Sequence, residues 1–270
     1  MKVGRLLLAF FLTLTLSKTF SQQIDTALAR VYYKFKYQYD TLQPSKVYEE
    51  DMVLFLGKKA TEYTSNVNLL RDSSLKNEMT EGKDKWQIVA EGRKAGSPTS
   101  YFYYPQEEHF LVVERLLRTY CYQADVPVLN WIIKEDTLNI GGLRCQKATG
   151  IWKGRTYEAW FCRDIPCSYG PWKLVGLPGL VVQAADKKGE VTFEFGGIEK
   201  ISQQAPLIMI PPKAINTTEE KFKKLKKLSD EDPIAFIKST MGISLIPQNK
   251  PGVSPPTVKK PNNPIEMVAN

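Results

Sequence analysis

The segment from Ala29 to Asp40, ARVYYKFKYQYD, limits the fold more than any other stretch of the chain. Val31, Tyr33, Phe35, Tyr37 and Tyr39 alternate without a break with Tyr32, Lys34, Lys36, Gln38 and Asp40. A period of two places the first set on one face and the second on the other, the pattern of a strand with one buried and one wet side. Such a strand leaves its backbone unpaired and its apolar face bare, so it demands neighbours. The chain supplies them. DMVLFL and KATEYTS lie on either side of Gly57-Lys58, a tight-turn signal. KWQIVAE, TSYFYYP, HFLVVERLL and LNWIIKED follow, each short, aromatic or β-branched, and bounded by turn residues. LRCQKATGIW and RTYEAWFC flank Lys153-Gly154, and GLVVQAAD and EVTFEFGGI are joined by KKGE. The expectation is an α+β fold that is mostly antiparallel β, a curved meander sheet or half-barrel with short C-terminal helices.

The helical signals are few. Asn66 to Lys83 is polar and partly helical in character. Thr217 with Glu220 three residues on reads as a capping box before KFKKLKKL, where Phe222, Leu225 and Leu228 share one face among five lysines. That stripe suits packing on the sheet; a basic amphipathic helix also suits peripheral contact with anionic lipid. Asp232-Pro233 opens a second short helix, which Gly242 can end.

The two ends differ from the middle. MKVGR is a basic start, Leu6 to Leu16 is an apolar run too short to span a bilayer, and Thr19 and Ser21 supply small residues before Gln22. Residues 1–21 therefore read as a secretory signal peptide, 22–246 as a single β-rich domain and 247–270 as a proline-rich, extended tail. Losing Lys2, Arg5 and Lys18 with the signal lowers the formal charge from +8 to +5. An exported protein of that modest charge is not expected to bind nucleic acid, and no second long apolar run predicts a transmembrane helix in the mature chain. The expected location is the periplasm.

An oxidising compartment favours disulfides among Cys121, Cys145, Cys162 and Cys167 over a zinc site, since no CxxC pair is present. If Lys153-Gly154 is the turn, Cys145 stands directly opposite Cys162, at roughly 4.5 Å between Cα atoms in a non-hydrogen-bonded pair. That predicts Cys145–Cys162 and leaves Cys121 for Cys167. His109 is the single histidine, no serine sits in GxSxG and HExxH is impossible, so no catalytic residue, metal or cofactor is expected. The alternative is a hydrolase using carboxylates such as Glu158 and Asp164 near Arg155 and Arg163.

The stretch GPWKLVGLPGLVV, Gly170 to Val182, is not a phosphate loop, because it runs into a β-branched strand and lacks Lys-Ser/Thr. Gly170, Pro171, Gly176, Pro178 and Gly179 mark structural corners, with Leu-Pro-Gly-Leu fitting a type II turn. Trp172, Leu174 and Leu177 form a docking surface if exposed and a plug for the core if buried.

From Cys145 to Val182 the elements C-x-K-A, GR-x-Y-x-AW, IP and GPWK-x-x-GLPGL occur in order, with NWIIKED upstream and NNPIEM near the end. In these the chain resembles the GLPGLI family of exported Bacteroidetes-type proteins. Val181 stands where the name motif has isoleucine, and Cys162 and Cys167 are additional. The resemblance implies an envelope protein and brings no catalytic residue with it. By fold-level analogy alone, the half-barrel expected here is like that of periplasmic lipoprotein carriers. The functional expectation is a non-enzymatic periplasmic binding protein for a hydrophobic ligand or an envelope protein partner. Its candidate residues are Tyr33, Phe35, Tyr37, Trp160, Trp172, Leu174 and Leu177.

Overall fold

A computed structural model describes residues 24–80, 95–241 and 262–267. The expected signal peptide, the KWQIVAE strand and the stop at Gly242 lie outside those residues. In chain order the elements are β1 (Asp25–Thr26), β2 (Ala29–Tyr37), β3 (Tyr48–Leu56), β4 (Thr61–Ser65), α1 (Asn66–Thr80), β5 (Thr99–Tyr104), β6 (His109–Arg115) and β7 (Thr119–Ala124). They continue with β8 (Ile132–Ile140), β9 (Leu143–Trp152), β10 (Arg155–Cys162), β11 (Leu180–Asp186), β12 (Val191–Lys200), β13 (Leu207–Ile208), β14 (Ile215–Asn216), α2 (Glu219–Glu231) and α3 (Pro233–Met241).

Twelve strands form one open sheet in the order β14-β7-β6-β5-β4-β3-β2-β12-β11-β10-β9-β8. All neighbours are antiparallel except β14, which runs parallel to β7. The sheet is two meanders, β2 to β7 and β8 to β12, fused where β12 returns to β2. The predicted hairpin register at Lys153-Gly154 is the one observed, with Trp152 facing Arg155 and Cys145 facing Cys162. β7 was not expected: TYCYQA mixes Thr and Gln into a short run and carries only a weak strand signal.

Both faces of the sheet are buried over its centre. On β3, Met52, Leu54 and Leu56 join an inner core with Val31, Tyr33, Tyr157, Phe161 and Phe193. Val53 and Phe55 join an outer core with Phe102, Tyr104, Leu111 and Val113. Burial on both sides explains why DMVLFL is a continuous apolar run instead of an alternating one. The pair β1–β13 helps cover the outer core, placing Ala27 and Ile208 in it.

The GPWKLVGLPGLVV loop resolves as a plug. Trp172, Leu174 and Leu177 are buried in the inner core, Trp172 only 5% exposed. The expected type II turn is replaced by a tighter one: Gly179 donates to the Leu177 carbonyl at 2.8 Å, and Leu180 donates to Ile165 instead. Gly179 has φ +154, and a Cβ there would fall 2.2 Å from the Cys162 carbonyl oxygen, so close approach of the backbone to β10 is what requires glycine.

At the other end of the sheet, α2 lays Phe222 on the rings of Tyr120 and Tyr122, with centroids at 5.7 and 5.1 Å. Its N-cap is Thr218, whose hydroxyl accepts from the Lys221 amide. It is not Thr217, because the Thr217 amide is already donated to the Cys121 carbonyl in extension of the β14–β7 pairing.

The four cysteines carry no disulfide in the structure. Cys145 and Cys162 have the facing register expected of a pair. Cys121 is in the outer core and Cys167 packs against the inner one, a placement that does not favour the expected Cys121–Cys167 pairing.

Candidate functional site

The aromatic stripe of β2 is graded. Val31 and Tyr33 are buried, Phe35 and Tyr37 are half-buried, and Tyr39, just past the strand, is exposed. The stripe thus runs out of the core towards an edge of the inner face, and there it borders a cavity of about 420 Å³. β2 contributes Phe35 and Tyr37, and β3 contributes Tyr48, Glu50 and Met52. The rest of the wall includes Tyr63, Tyr101, Trp172, Phe193 and Ile265.

Register sets this lining. Phe35 has Glu50 on one side and Phe193 on the other, and Tyr37 faces Tyr48. Phe35 stacks on Phe193 at 5.2 Å and meets Tyr48 edge-on at 6.2 Å. Phe193 stacks on Trp172 at 6.1 Å, so the plug loop supplies one wall. Burial raises the pKa of Tyr37, Tyr48, Tyr63 and Tyr101, and these phenols remain neutral hydrogen-bonding groups near pH 7.

One wall residue is acidic. Glu50 is 5% exposed; its carboxylate accepts from the Tyr48 hydroxyl and, at 2.7 Å, from the Ser97 amide. A Cβ on Gly96 would lie 2.2 Å from Glu50 Oε1 and 2.0 Å from Ser65 Oγ, so glycine is what lets the 95–98 segment approach this carboxylate. The Tyr63 hydroxyl is buried and has no hydrogen-bond partner among the described residues.

The last wall comes from the far end of the chain. Residues 262–267, the NNPIEM motif of the expected extended tail, return to the domain. Arg155, 2% exposed, holds them there. Its Nη1 donates to Asp186 at 2.6 Å and Glu190 at 3.0 Å; its Nη2 donates to the Asn263 side chain and, at 2.9 Å, to the Pro264 carbonyl. Asn263 donates in turn to Gln38 O at 2.6 Å, and Tyr37 donates its hydroxyl to the Asn263 carbonyl. Burial opposes the Arg155 charge, but Glu190 and Asp186 outweigh it and its pKa rises. Glu266 pairs with Lys173 of the plug loop. A second cavity, of about 290 Å³, shares Tyr101, Trp172 and Ile265 with the first and is lined by Glu114, Glu219, Glu266, Lys173 and Lys223.

Of the residues singled out in the sequence, Phe35, Tyr37 and Trp172 meet in the aromatic cavity. Tyr33 lies deeper, its hydroxyl donated to the Val181 carbonyl at 2.7 Å, and Leu174 and Leu177 are core. Trp160 is on the other face of β10, 5.9 Å from the Lys147 ammonium. Glu158, on that same face, pairs with Lys147 at 2.9 Å, while Asp164 is exposed in the turn after β10. Neither carboxylate lines the aromatic cavity. Arg163 reaches Gln146 at 3.0 Å, and His109 starts β6 beside Glu107. Among the described residues no group of three or more His, Cys, Asp or Glu is arranged to hold a metal, and no helix is long and apolar enough to cross a membrane.

Sequence reasoning missed Glu50, Tyr48, Tyr101 and Ile265. A signal for Glu50 was present: the period of β3 puts it on the same face as Tyr48, Met52 and Leu54, an acid at a core position.

Residues 150–183 match a family described as "Protein of unknown function (Porph_ging)", the GLPGLI family of Bacteroidetes proteins. The match covers β10 and the plug loop. No curated protein matches the chain. Among solved structures, the chain is similar to PNGF-II in a P21 crystal form, with TM-score 0.51 and 12% identity over 73% of this chain and 32% of that one. It is similar to PNGF-II in a C2 form, with TM-score 0.52 and 12% identity over 76% and 33%. The chain therefore spans about a third of those PNGF-II chains, and at that identity the likeness is one of fold.

Proposed function

We propose that this chain is an exported, periplasmic, non-enzymatic binding protein that holds a small hydrophobic ligand between the rim of its sheet and its plug loop. The observation that carries this reading is the ring-lined cavity. Its volume of about 420 Å³ lies within the roughly 300–1,000 Å³ usual for small-molecule sites, and its wall is largely aromatic with a few polar groups. The signal-like N-terminus supports export. Burial of Trp172, Leu174 and Leu177 removes the apolar surface that motivated docking of an envelope protein, so the ligand reading is favoured. The hydrolase alternative loses its motive for a similar reason, since Glu158 and Asp164 stand away from the cavity.

The test is native mass spectrometry with organic extraction on mature protein purified gently from its own envelope. A stoichiometric small hydrophobic adduct, diminished by the cavity-filling change Met52→Trp in a variant shown to fold, is the expected result. A bare wild-type protein that also fails to take up small aromatic probes would overturn the reading.

A further inference from the structure

The cavity wall is charged as well as aromatic. Among the described residues that line it, Glu50 is the one carboxylate, and none is a lysine or arginine. Among the described residues no cation pairs with Glu50. The basic group of the plug loop, Lys173, is paired with Glu266 and sits over the rings of Trp172 and Trp152 at 5.8 and 5.9 Å. A buried carboxylate is costly unless it is hydrogen-bonded and paired with a positive charge. Among the described residues Glu50 has hydrogen-bond donors and no counter-charge. Tyr48 and Ser97 occupy one acceptor site on each oxygen, out of about four on a carboxylate, so each oxygen keeps capacity. The same two contacts fix the group in place, and a fixed carboxylate is ready for a partner without reorganisation.

The rings around it favour the same ligand sign. Phe35, Tyr37, Tyr48, Tyr101 and Trp172 line the space. Aromatic faces carry negative quadrupolar charge and attract ammonium groups within about 6 Å of a ring centroid. The Lys173 ammonium over Trp172 shows this attraction within the protein itself. The buried Tyr63 hydroxyl, unpartnered among the described residues, adds a hydrogen-bonding group to the wall.

We propose that the cavity is selective for organic cations: a substituted ammonium sets its charge against Glu50 while its apolar part fills the ring-lined space. This rests on the binding reading above and narrows it, since an anion such as a fatty carboxylate would face Glu50 at short range.

Three probes of matched size test it by ligand-observed NMR titration of the mature protein: benzyltrimethylammonium, its neutral carbon isostere neopentylbenzene, and 3-phenylpropanoate. On the wild-type protein the cation is expected to bind about tenfold or more tightly than the neutral isostere, with the anion weakest. Glu50→Gln is expected to weaken the cation about tenfold more than it weakens the neutral probe. The wild-type ranking stands as a test even if that variant does not fold. Neutral binding equal to or tighter than cation binding overturns charge selectivity and leaves a hydrophobic site standing. Tightest binding of the anion overturns it, as does an E50Q protein that keeps the full cation preference. Binding of none of the three at millimolar concentration overturns the cation proposal and the pocket reading together.

Discussion

Arg155→Met is the most informative single change outside the cavity. The guanidinium is buried and makes four hydrogen bonds, two to the carboxylates of Asp186 and Glu190 and two to Asn263 and Pro264. Methionine fills much of the volume and makes none of them. Asp186 is left buried, with its other oxygen still accepting from the Val191 amide at 2.9 Å. Removing one partner of a buried ion pair typically costs about 3–5 kcal/mol. Glu190 is nearer the surface and can turn to water, so the lower end, about 3 kcal/mol, is expected. At roughly 2–4 °C per kcal/mol for a domain of this size, the thermal midpoint should fall by about 6–12 °C. Because typical stability is about 5–15 kcal/mol, the variant still folds. Urea unfolding followed by tryptophan fluorescence measures the loss. Asn263→Ala in wild-type and Arg155→Met backgrounds then measures the coupling, expected at about 0.5–3 kcal/mol because both residues belong to one network. A midpoint shift below about 2 °C, or strictly additive single changes, would show that Arg155 does not anchor the returning segment.

Two buried tyrosines offer an internal contrast. Tyr33→Phe removes a hydrogen bond to Val181 and should cost about 0.5–1.5 kcal/mol, while Tyr63→Phe removes a hydroxyl with no partner among the described residues and should be neutral or stabilising in calorimetry; the reverse order would contradict the assigned bonding. Glu62 projects from β4 between its cross-strand partners Phe55 and Phe102, and burial pushes its pKa up to about 8. The unfolded chain releases that proton near pH 4.5 and the folded one near 8, so stability should decline as pH rises across that interval and level off above it. Glu62→Gln should flatten this dependence in urea midpoints measured from pH 5 to 8.5; an unchanged slope would assign it elsewhere. Non-reducing digestion of the folded, oxidised protein should yield no Cys121–Cys167 peptide, because Cys121 is in the outer core and Cys167 packs against the inner one.

The strands were legible because their pattern is local. Alternation in β2 and the turn at Lys153-Gly154 state face and register directly, and the Cys145–Cys162 alignment followed from counting. The cavity was legible only in half. Phe35, Tyr37 and Trp172 stand out as aromatic residues, but β2 meets β12 through a contact more than 150 residues apart in sequence, and no local pattern announces it. Arg155 was read as a neighbour of catalytic carboxylates because residues close in sequence were weighed together. The alternation of β10 sends Arg155 and Glu158 to opposite faces, and the true partners of Arg155 lie 31, 35 and 108 positions away. The returning NNPIEM segment was hidden by its composition: proline and asparagine signal an extended chain equally well when it is free and when its backbone groups are held by side chains elsewhere.

The route of the chain also imposes an order of events. Ile265 lines the cavity, and Asn263 joins the Arg155 network, yet both follow every described strand of the sheet in the chain. Chains emerge from the ribosome, or cross a membrane, amino end first. The described strands of the sheet are therefore made before the segment that supplies this side of the cavity. A chain without residues 262–267 would leave the rim without Ile265 and Arg155 without its Asn263 and Pro264 partners.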